Sequence, residues 1–245
     1  VVDNELSSKA IAGTTKLRVR GSALFSDLDF DQLYQHEALV HMATAINGRR
    51  QTNLQSLGLG APRTTRSQEG LAVFAELVTQ SIDINRLRRL ALRIQALKQA
   101  LEGADFLECF RFFLENGQDE RESYKSTQRI FRGGDVRGRV AFTKDSTYLK
   151  GVMETHVLMN IAIRDNRPQL VGRLFTGRLT MSDAITLGPY FESGWLQPPH
   201  YVPPWARDTR RLAASLAYSS FMMNVNLTPV TLERFVDAAN RTELE

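Results

Sequence analysis

Apolar residues recur at helical spacing along most of this 245-residue chain, and several of the segments that carry them end at glycine. In the clearest segment, which Gly103 ends, the apolar positions are Leu87, Leu90, Ala91, Ile94, Leu97 and Leu101. Because about 3.6 residues complete a turn, this spacing gives a helix one apolar face that must be buried against another element. The pattern predicts a mainly α fold, formally α+β with a small sheet, that is large enough for one sizeable core.

The predicted helices cover most of the chain. We expect a first helix that begins after Ser26 and ends at Asn47-Gly48, and a second that begins at a capping box formed by Thr65 and Gln68. Further helices are predicted at 87–101, 104–116, 119–131, 145–164, 207–223 and 228–239. Outside the helices we predict a short strand at 16–20, a loop at 51–66 and an extended proline-rich segment at 196–204.

Composition excludes several classes of protein. Apolar residues make up 42% and charged residues 24%, as in an ordinary globular domain. No stretch approaches the roughly 18 uninterrupted apolar residues of a membrane span, and no signal peptide is visible. The single cysteine, Cys109, excludes an internal disulfide and favours a reducing, cytoplasmic location.

Charge and length limit the possible partners and the number of domains. The net charge is only +4, and no long Lys/Arg run tracks a phosphate backbone, so we expect no nucleic-acid partner. We interpret residues 1–245 as a single domain whose oligomeric state the sequence leaves open. Because the chain begins with Val1 instead of Met, we expect it to be a trimmed piece that lacks an N-terminal part.

Two of the four histidines lie in the run His36-Glu37-Ala38-Leu39-Val40-His41, which has the pattern HExxxH. It is one residue longer than the HExxH of zinc peptidases. Residues five apart on an α-helix diverge by about 140°, so a regular helix cannot aim both imidazoles at one ion. A one-residue π-bulge would bring the rings together. The alternative is that His36 and His41 are ordinary helix residues.

A catalytic zinc site needs a third protein ligand and one open position for water. The best candidate is Glu69, which follows His41 by 28 residues, a separation long enough for the chain to fold back. The neighbouring Gly70 would allow close approach to another helix or to a ligand. Glu69 could instead complement the dipole at the start of its helix, and Glu76 is a rival ligand about two turns further on.

These residues carry a resemblance to a known family. The chain resembles the bacterial QEGLA-motif proteins, known as flavohaemoglobin expression-modulating proteins. Those proteins are similar to the microtubule-associated tyrosine carboxypeptidases, zinc peptidases that remove the C-terminal tyrosine of α-tubulin. The resemblance extends over roughly residues 2–235. The motifs that carry it are Gln68-Glu69-Gly70-Leu71-Ala72, the HExxxH run, Asn47-Gly48, Pro62-Arg63-Thr64-Thr65, Phe131-Arg132-Gly133-Gly134 and Phe142-Thr143-Lys144-Asp145.

The resemblance implies a zincin-like metallopeptidase domain with an HExxxH helix and a glutamate-bearing second helix. It implies that His36, His41 and Glu69 bind one Zn²⁺ per chain and that Glu37 is the general base and acid. This agrees with the chemistry, because zinc lowers the pKa of its water and a neighbouring carboxylate can take the proton. The implied activity is a zinc-dependent carboxypeptidase that acts on a peptide or protein C-terminus.

A carboxypeptidase also needs cationic groups for the oxyanion and for the terminal carboxylate. Our hypothesis is that Arg132, Lys144 and Tyr148 line the substrate side of the metal; the alternative is a solvated basic loop. His156 is a candidate positioning or oxyanion group, or else a packed helix residue.

Two other functions stay open. The first is a non-enzymatic regulatory or scaffold protein with a structural metal, which would not need a base at Glu37. The second is a non-haem iron enzyme, since two histidines and one carboxylate also form the facial triad of that class. The sequence does not identify the substrate.

Overall fold

The computed structural model describes residues 1–6, 9–13, 15–226 and positions 228, 231 and 234. Within these residues the fold is mainly helical with one small sheet, as predicted. The elements in chain order are β1 (Ala10–Ala12), β2 (Leu17–Val19), α1 (Asp27–Leu33), a π-helix (Tyr34–Met42), α2 (Ala43–Arg49), a 3₁₀ turn (Gln55–Gly58), α3 (Pro62–Val78), α4 (Ile84–Glu102), α5 (Phe106–Glu115), α6 (Glu120–Ile130), a 3₁₀ turn (Thr143–Asp145), α7 (Ser146–Arg164), α8 (Gln169–Arg173), α9 (Met181–Thr186), α10 (Gly188–Glu192), α11 (Pro204–Arg207) and α12 (Thr209–Met223).

Most predicted elements are present. The strand predicted at 16–20 is β2, which pairs antiparallel with β1 in the register Ala10↔Val19. The helices predicted between 87 and 164 are α4 to α7, and the one predicted at 207–223 is α12. The helix predicted at 228–239 lies outside the described residues. None of the described helices has both the length and the apolar character that crossing a membrane requires.

The first predicted helix is a continuous segment made of α1, the π-helix and α2. It begins after Ser26, as predicted, and the Ser26 hydroxyl accepts from the backbone N–H of Asp29 in a capping box. It ends at Arg49, one residue beyond the predicted stop. Gly48 therefore lies inside the helix, where a Cβ would meet the Leu57 carbonyl carbon at 2.3 Å. This glycine permits a close backbone approach instead of ending the helix.

The capping box predicted at Thr65 and Gln68 is wrong. Helix α3 begins earlier, at Pro62, with Ala61 in the extended conformation before it. Proline suits the first helical position because its fixed φ fits the helix and its missing N–H would have no partner there. Because α3 begins at Pro62, the loop predicted at 51–66 is shorter than expected. The QEGLA segment begins in the second turn of α3.

Helices α3 and α7 cross in close contact at two glycines. A Cβ on Gly70 would meet the Gly151 carbonyl carbon at 2.2 Å, and a Cβ on Gly151 would meet the Arg66 oxygen at 2.3 Å. The predicted role of Gly70 in close approach is therefore confirmed, and the neighbour is a helix. The crossing buries most of α3, including Glu69.

Two apolar clusters form the interior. The larger is built around α3 and α7, with Phe74, Met159 and Phe175 fully buried. The smaller lies among α4, α5 and α6 and contains Phe113 and Cys109. Cys109 is fully buried, and burial raises the pKa of its thiol to about 11, so it behaves as a small apolar residue. Helix α4 contributes leucines to both clusters and so connects them.

Candidate metal centre and cleft

The HExxxH run lies entirely within the π-helix Tyr34–Met42. At its end the backbone N–H of Ala43 donates to the carbonyl of Ala38, five residues earlier. Hydrogen bonding between residues five apart brings His36 and His41 to the same side, and their ring centroids are 4.9 Å apart at 81°. The predicted π distortion is confirmed, and the π-helix spans nine residues.

Glu69 on α3 lies opposite the two imidazoles. Its Oε2 is 3.5 Å from His36 Nε2 and 3.6 Å from His41 Nε2. The three ligand atoms lie within 4.8 Å of one another. A tetrahedral zinc ion with ligand bonds of about 2.0–2.2 Å would separate its ligand atoms by roughly 3.3–3.5 Å. The donor set and its spacing therefore fit a metal ion, and His36, His41 and Glu69 could hold one.

Charge on Glu69 is favoured although the side chain is buried. Burial opposes ionisation, but hydrogen bonds with His36 and His41 outweigh it and hold the pKa of Glu69 well below its usual range. The other carboxylate oxygen, Oε1, pairs with Lys144 Nζ at 2.8 Å. Glu69 thus keeps a charged oxygen directed at the histidines.

Lys144 is positioned by a buried ion pair next to it in the sequence. Asp145 is almost fully buried and accepts from Arg129 Nε at 2.8 Å and Nη2 at 2.6 Å. Phe142 N–H donates to the Ile130 carbonyl at 2.7 Å. These bonds hold the turn Thr143–Asp145 so that Lys144 reaches Glu69.

Glu76, the rival ligand, lies on the other side of the same imidazole. Its Oε1 is 2.6 Å from His36 Nδ1, and Arg86 donates Nε to Oε2 at 2.5 Å and Nη2 to Oε1 at 2.6 Å. Burial lowers the pKa of His36, but hydrogen bonds with Glu69 and Glu76 outweigh it and raise that pKa to about 9. Glu76 is fully buried and fixes the His36 imidazole at Nδ1, the nitrogen that faces away from Glu69.

A cleft of about 790 Å³ opens over this centre. Its lining includes His36, Glu37, His41 and Glu69 together with residues from the Phe142–Tyr148 segment. Tyr148 lines one wall, and burial and the charge of Glu69 raise its pKa to about 12. The phenol is therefore a neutral hydrogen-bond donor at physiological pH.

The model of the family described as microtubule-associated tyrosine carboxypeptidase matches residues 1–224 of the chain. The chain belongs to this family. A comparison with curated proteins finds no significant match. Membership confirms the predicted similarity to the microtubule-associated tyrosine carboxypeptidases and supports a carboxypeptidase-like activity on peptide or protein substrates. The buried cluster of two histidines and one glutamate is where a metal ion could bind in this member of the microtubule-associated tyrosine carboxypeptidase family.

Not all the predicted substrate residues of this family member reach the cleft. Lys144 and Tyr148 line it, as does Glu37. Arg132 is exposed and stacks 5.7 Å from the ring of Phe142, outside the lining. His156 is exposed on α7 and lies 6.2 Å from the ring of Phe74, also outside the lining.

Sequence reasoning missed a charged cleft residue, Arg178. Arg178 follows Gly177 in the segment after α8 and belongs to none of the sequence motifs. Tertiary packing brings Arg178 to the cleft. There it lies near His36, His41 and Glu69, which precede it by more than a hundred positions. No sequence signal distinguishes it from the other arginines.

Proposed function

We propose that the protein is a zinc-dependent metallocarboxypeptidase with one zinc ion per chain, held by His36, His41 and Glu69. The convergence of these three ligand atoms across two helices is the observation that carries the proposal. Family membership supports the carboxypeptidase class. The zinc ion, when bound, supplies a water molecule of lowered pKa and polarises the scissile carbonyl.

Glu37 is the general base of the proposed reaction. It lies on the π-helix beside His36 and lines the cleft. Within the described residues, no hydrogen bond or ion pair engages its carboxylate, so it is free to accept a proton. It takes the proton from the attacking water and passes it to the leaving amine.

Tyr148 and Lys144 have different roles in the proposal. The neutral Tyr148 phenol donates a hydrogen bond to the oxyanion that forms at the scissile carbonyl. Lys144 pairs with Oε1 of Glu69 and thereby directs Oε2 toward the histidines. Arg132 and His156, which lie outside the cleft lining, receive no role in catalysis.

We also propose that the chain forms one catalytic domain. Leu90 of α4 belongs to the larger apolar cluster, and Leu92 and Leu97 of the same helix belong to the smaller one. A helix shared between two clusters makes their separate unfolding costly. A cytoplasmic location stays a prediction from the single cysteine.

Metal analysis tests the zinc site directly. Protein purified without added metal should contain about one zinc per chain by inductively coupled plasma mass spectrometry. Glu69→Ala should lose it, whereas the control Glu115→Ala, at an exposed carboxylate on α5, should keep it. Iron in place of zinc would favour the non-haem iron alternative, and no metal after zinc is offered would overturn the site.

A peptide assay then tests the activity. Mass spectrometry should detect release of a single C-terminal residue from synthetic peptides, with peptides that end in tyrosine among them. Glu37→Gln should abolish release while zinc stays bound. Bound zinc without turnover in the unaltered protein would favour a structural metal in a scaffold protein.

A further inference from the structure

Arg178 brings a guanidinium into the cleft without an acidic partner. Its Nε is buried and has no hydrogen-bond partner, and no carboxylate within residues 15–226 forms an ion pair with it. Burial, followed by the charge of Arg49, lowers the pKa of Arg178 more than the charges of Glu69 and Glu37 raise it, and the guanidinium stays protonated at physiological pH. A half-buried guanidinium with no carboxylate in direct contact is well suited to bind an anion.

The backbone around Arg178 is attached to the helix that continues the HExxxH segment. Arg178 N–H donates to the Leu57 carbonyl at 2.7 Å. Asn47 on α2 donates to the Phe175 carbonyl at 2.7 Å. A Cβ on Gly177 would meet Leu57 Cβ at 2.7 Å, so the segments approach as closely as a glycine permits. Arg178 is therefore held at a defined position relative to the histidines.

Gly60 forms a cradle for the guanidinium. A Cβ at this position would lie 2.7 Å from Arg178 Nη1. Gly60 also lines the cleft, so the Arg178 guanidinium lies against the Gly60 backbone at the cleft wall. A side chain at position 60 would displace it.

The other cation of the cleft, Lys144, is already paired with a carboxylate. Of the described residues in its lining, Lys144 and Arg178 are the two with a permanent positive charge. Lys144 Nζ pairs with Glu69 Oε1 at 2.8 Å. Arg178 is therefore the cation with hydrogen-bond donors to spare for a ligand.

We propose that Arg178 binds the terminal carboxylate of the substrate and makes the cleft selective for a free C-terminus. The inference rests on the proposed carboxypeptidase function. In such a reaction only one residue, roughly 3.8 Å of Cα spacing, separates the scissile bond from the terminal carboxylate, so its binding group must share the cleft with the metal residues. Arg178 meets this condition, and its planar fork can bind a carboxylate through two hydrogen bonds.

The test compares matched peptides that differ only in a free or an amidated C-terminus. In the unaltered protein the free acid should be the better substrate. Arg178→Gln should lower kcat/KM for the acid by about 10- to 100-fold, mainly through KM, and bring the acid and amide close together. Arg178→Lys should restore part of the preference, and zinc content should not change.

Two further variants keep the test decisive. Gly60→Val should reproduce the loss of preference by displacing the guanidinium, even if Arg178→Gln does not fold. Arg121→Gln, at an exposed arginine on α6 outside the cleft lining, is the matched control and should leave the preference unchanged. An unchanged acid-to-amide ratio in Arg178→Gln and in Gly60→Val would overturn the inference while the peptidase function stands.

Binding separates this inference from the proposed function. The acid and amide peptides are titrated into zinc-loaded Glu37→Gln protein, which needs no turnover. Tighter binding of the acid that disappears in Glu37→Gln/Arg178→Gln supports the carboxylate site even if the unaltered protein cleaves neither peptide. Equal affinity for both peptides would exclude it.

Discussion

His36 Nδ1 lies 2.6 Å from Glu76 Oε1, while Nε2 of the same ring faces Glu69 Oε2 at 3.5 Å. When Nδ1–H donates to Glu76, the Nε2 lone pair is available to a metal ion. Arg86 neutralises Glu76 through two short hydrogen bonds. The orientation of the imidazole and its tautomer are thus set from the side away from the cleft.

Removing this support should weaken metal binding. We expect Glu76→Ala to lower zinc affinity by roughly 10- to 100-fold, because the ring loses the acceptor that orients it. Competition with a chromophoric chelator measures the affinity. Glu154→Ala, at a carboxylate on α7 that pairs with Arg66, is the control and should bind zinc normally. Unchanged affinity in Glu76→Ala would contradict the positioning role.

Zinc binding should release a proton at neutral pH. The pKa of His36 is raised to about 9 in the metal-free protein, so the ring is protonated below that pH and must lose a proton to bind the ion. Affinity should therefore rise with pH up to about 9. Calorimetry in two buffers of different ionisation enthalpy measures the release. A heat of binding independent of the buffer would contradict a protonated His36.

The same pKa shift makes a prediction for the stability of the metal-free protein. Because the pKa of His36 is raised above its ordinary value of 6.5, protonated His36 stabilises the fold. This contribution is fully present below pH 6.5 and is lost as the pH rises through about 9. Denaturant unfolding between pH 6 and pH 10 should show the loss. His36→Asn, which cannot titrate, should not show this component.

Tyr148→Phe should affect the chemical step more than binding. Loss of the phenol donor is expected to lower kcat by roughly 100-fold or more, with KM little changed, as for other oxyanion donors. Because the pKa of Tyr148 is raised to about 12, this phenol should produce no fall in kcat as the pH rises to about 10. Steady-state assays across pH measure both effects, and full activity in Tyr148→Phe would remove Tyr148 from the proposal.

Gly70→Ala should destabilise the fold. The new methyl group would lie 2.2 Å from the Gly151 backbone, so α3 and α7 would have to separate. We expect a loss of about 1–3 kcal/mol in the free energy of unfolding, measured by denaturant titration. Gly172→Ala on α8 is the matched control, since a Cβ there meets nothing within 4 Å and alanine favours a helix. Equal stability of both variants would contradict the close crossing.

The helical class and the need for a distorted helix at the HExxxH run follow from the sequence alone. Periodicity of 3.6 residues is local, so it survives in any arrangement of the helices. A spacing of five likewise conflicts with a regular α-helix whatever surrounds it. The start of α3 was misplaced because the capping signal at Thr65 and Gln68 competes with Pro62, and propensity alone does not rank the two.

The roles of the two glutamates and the position of Arg178 depend on how the helices pack together. Glu69 and Glu76 are seven residues apart and share one face of α3, so their spacing cannot say which one faces a metal ion. The packing of α3 against the π-helix puts them on opposite nitrogens of His36. Arg178 reaches the cleft because glycines let its segment pack against α2 and Leu57, a long-range contact that no local pattern encodes.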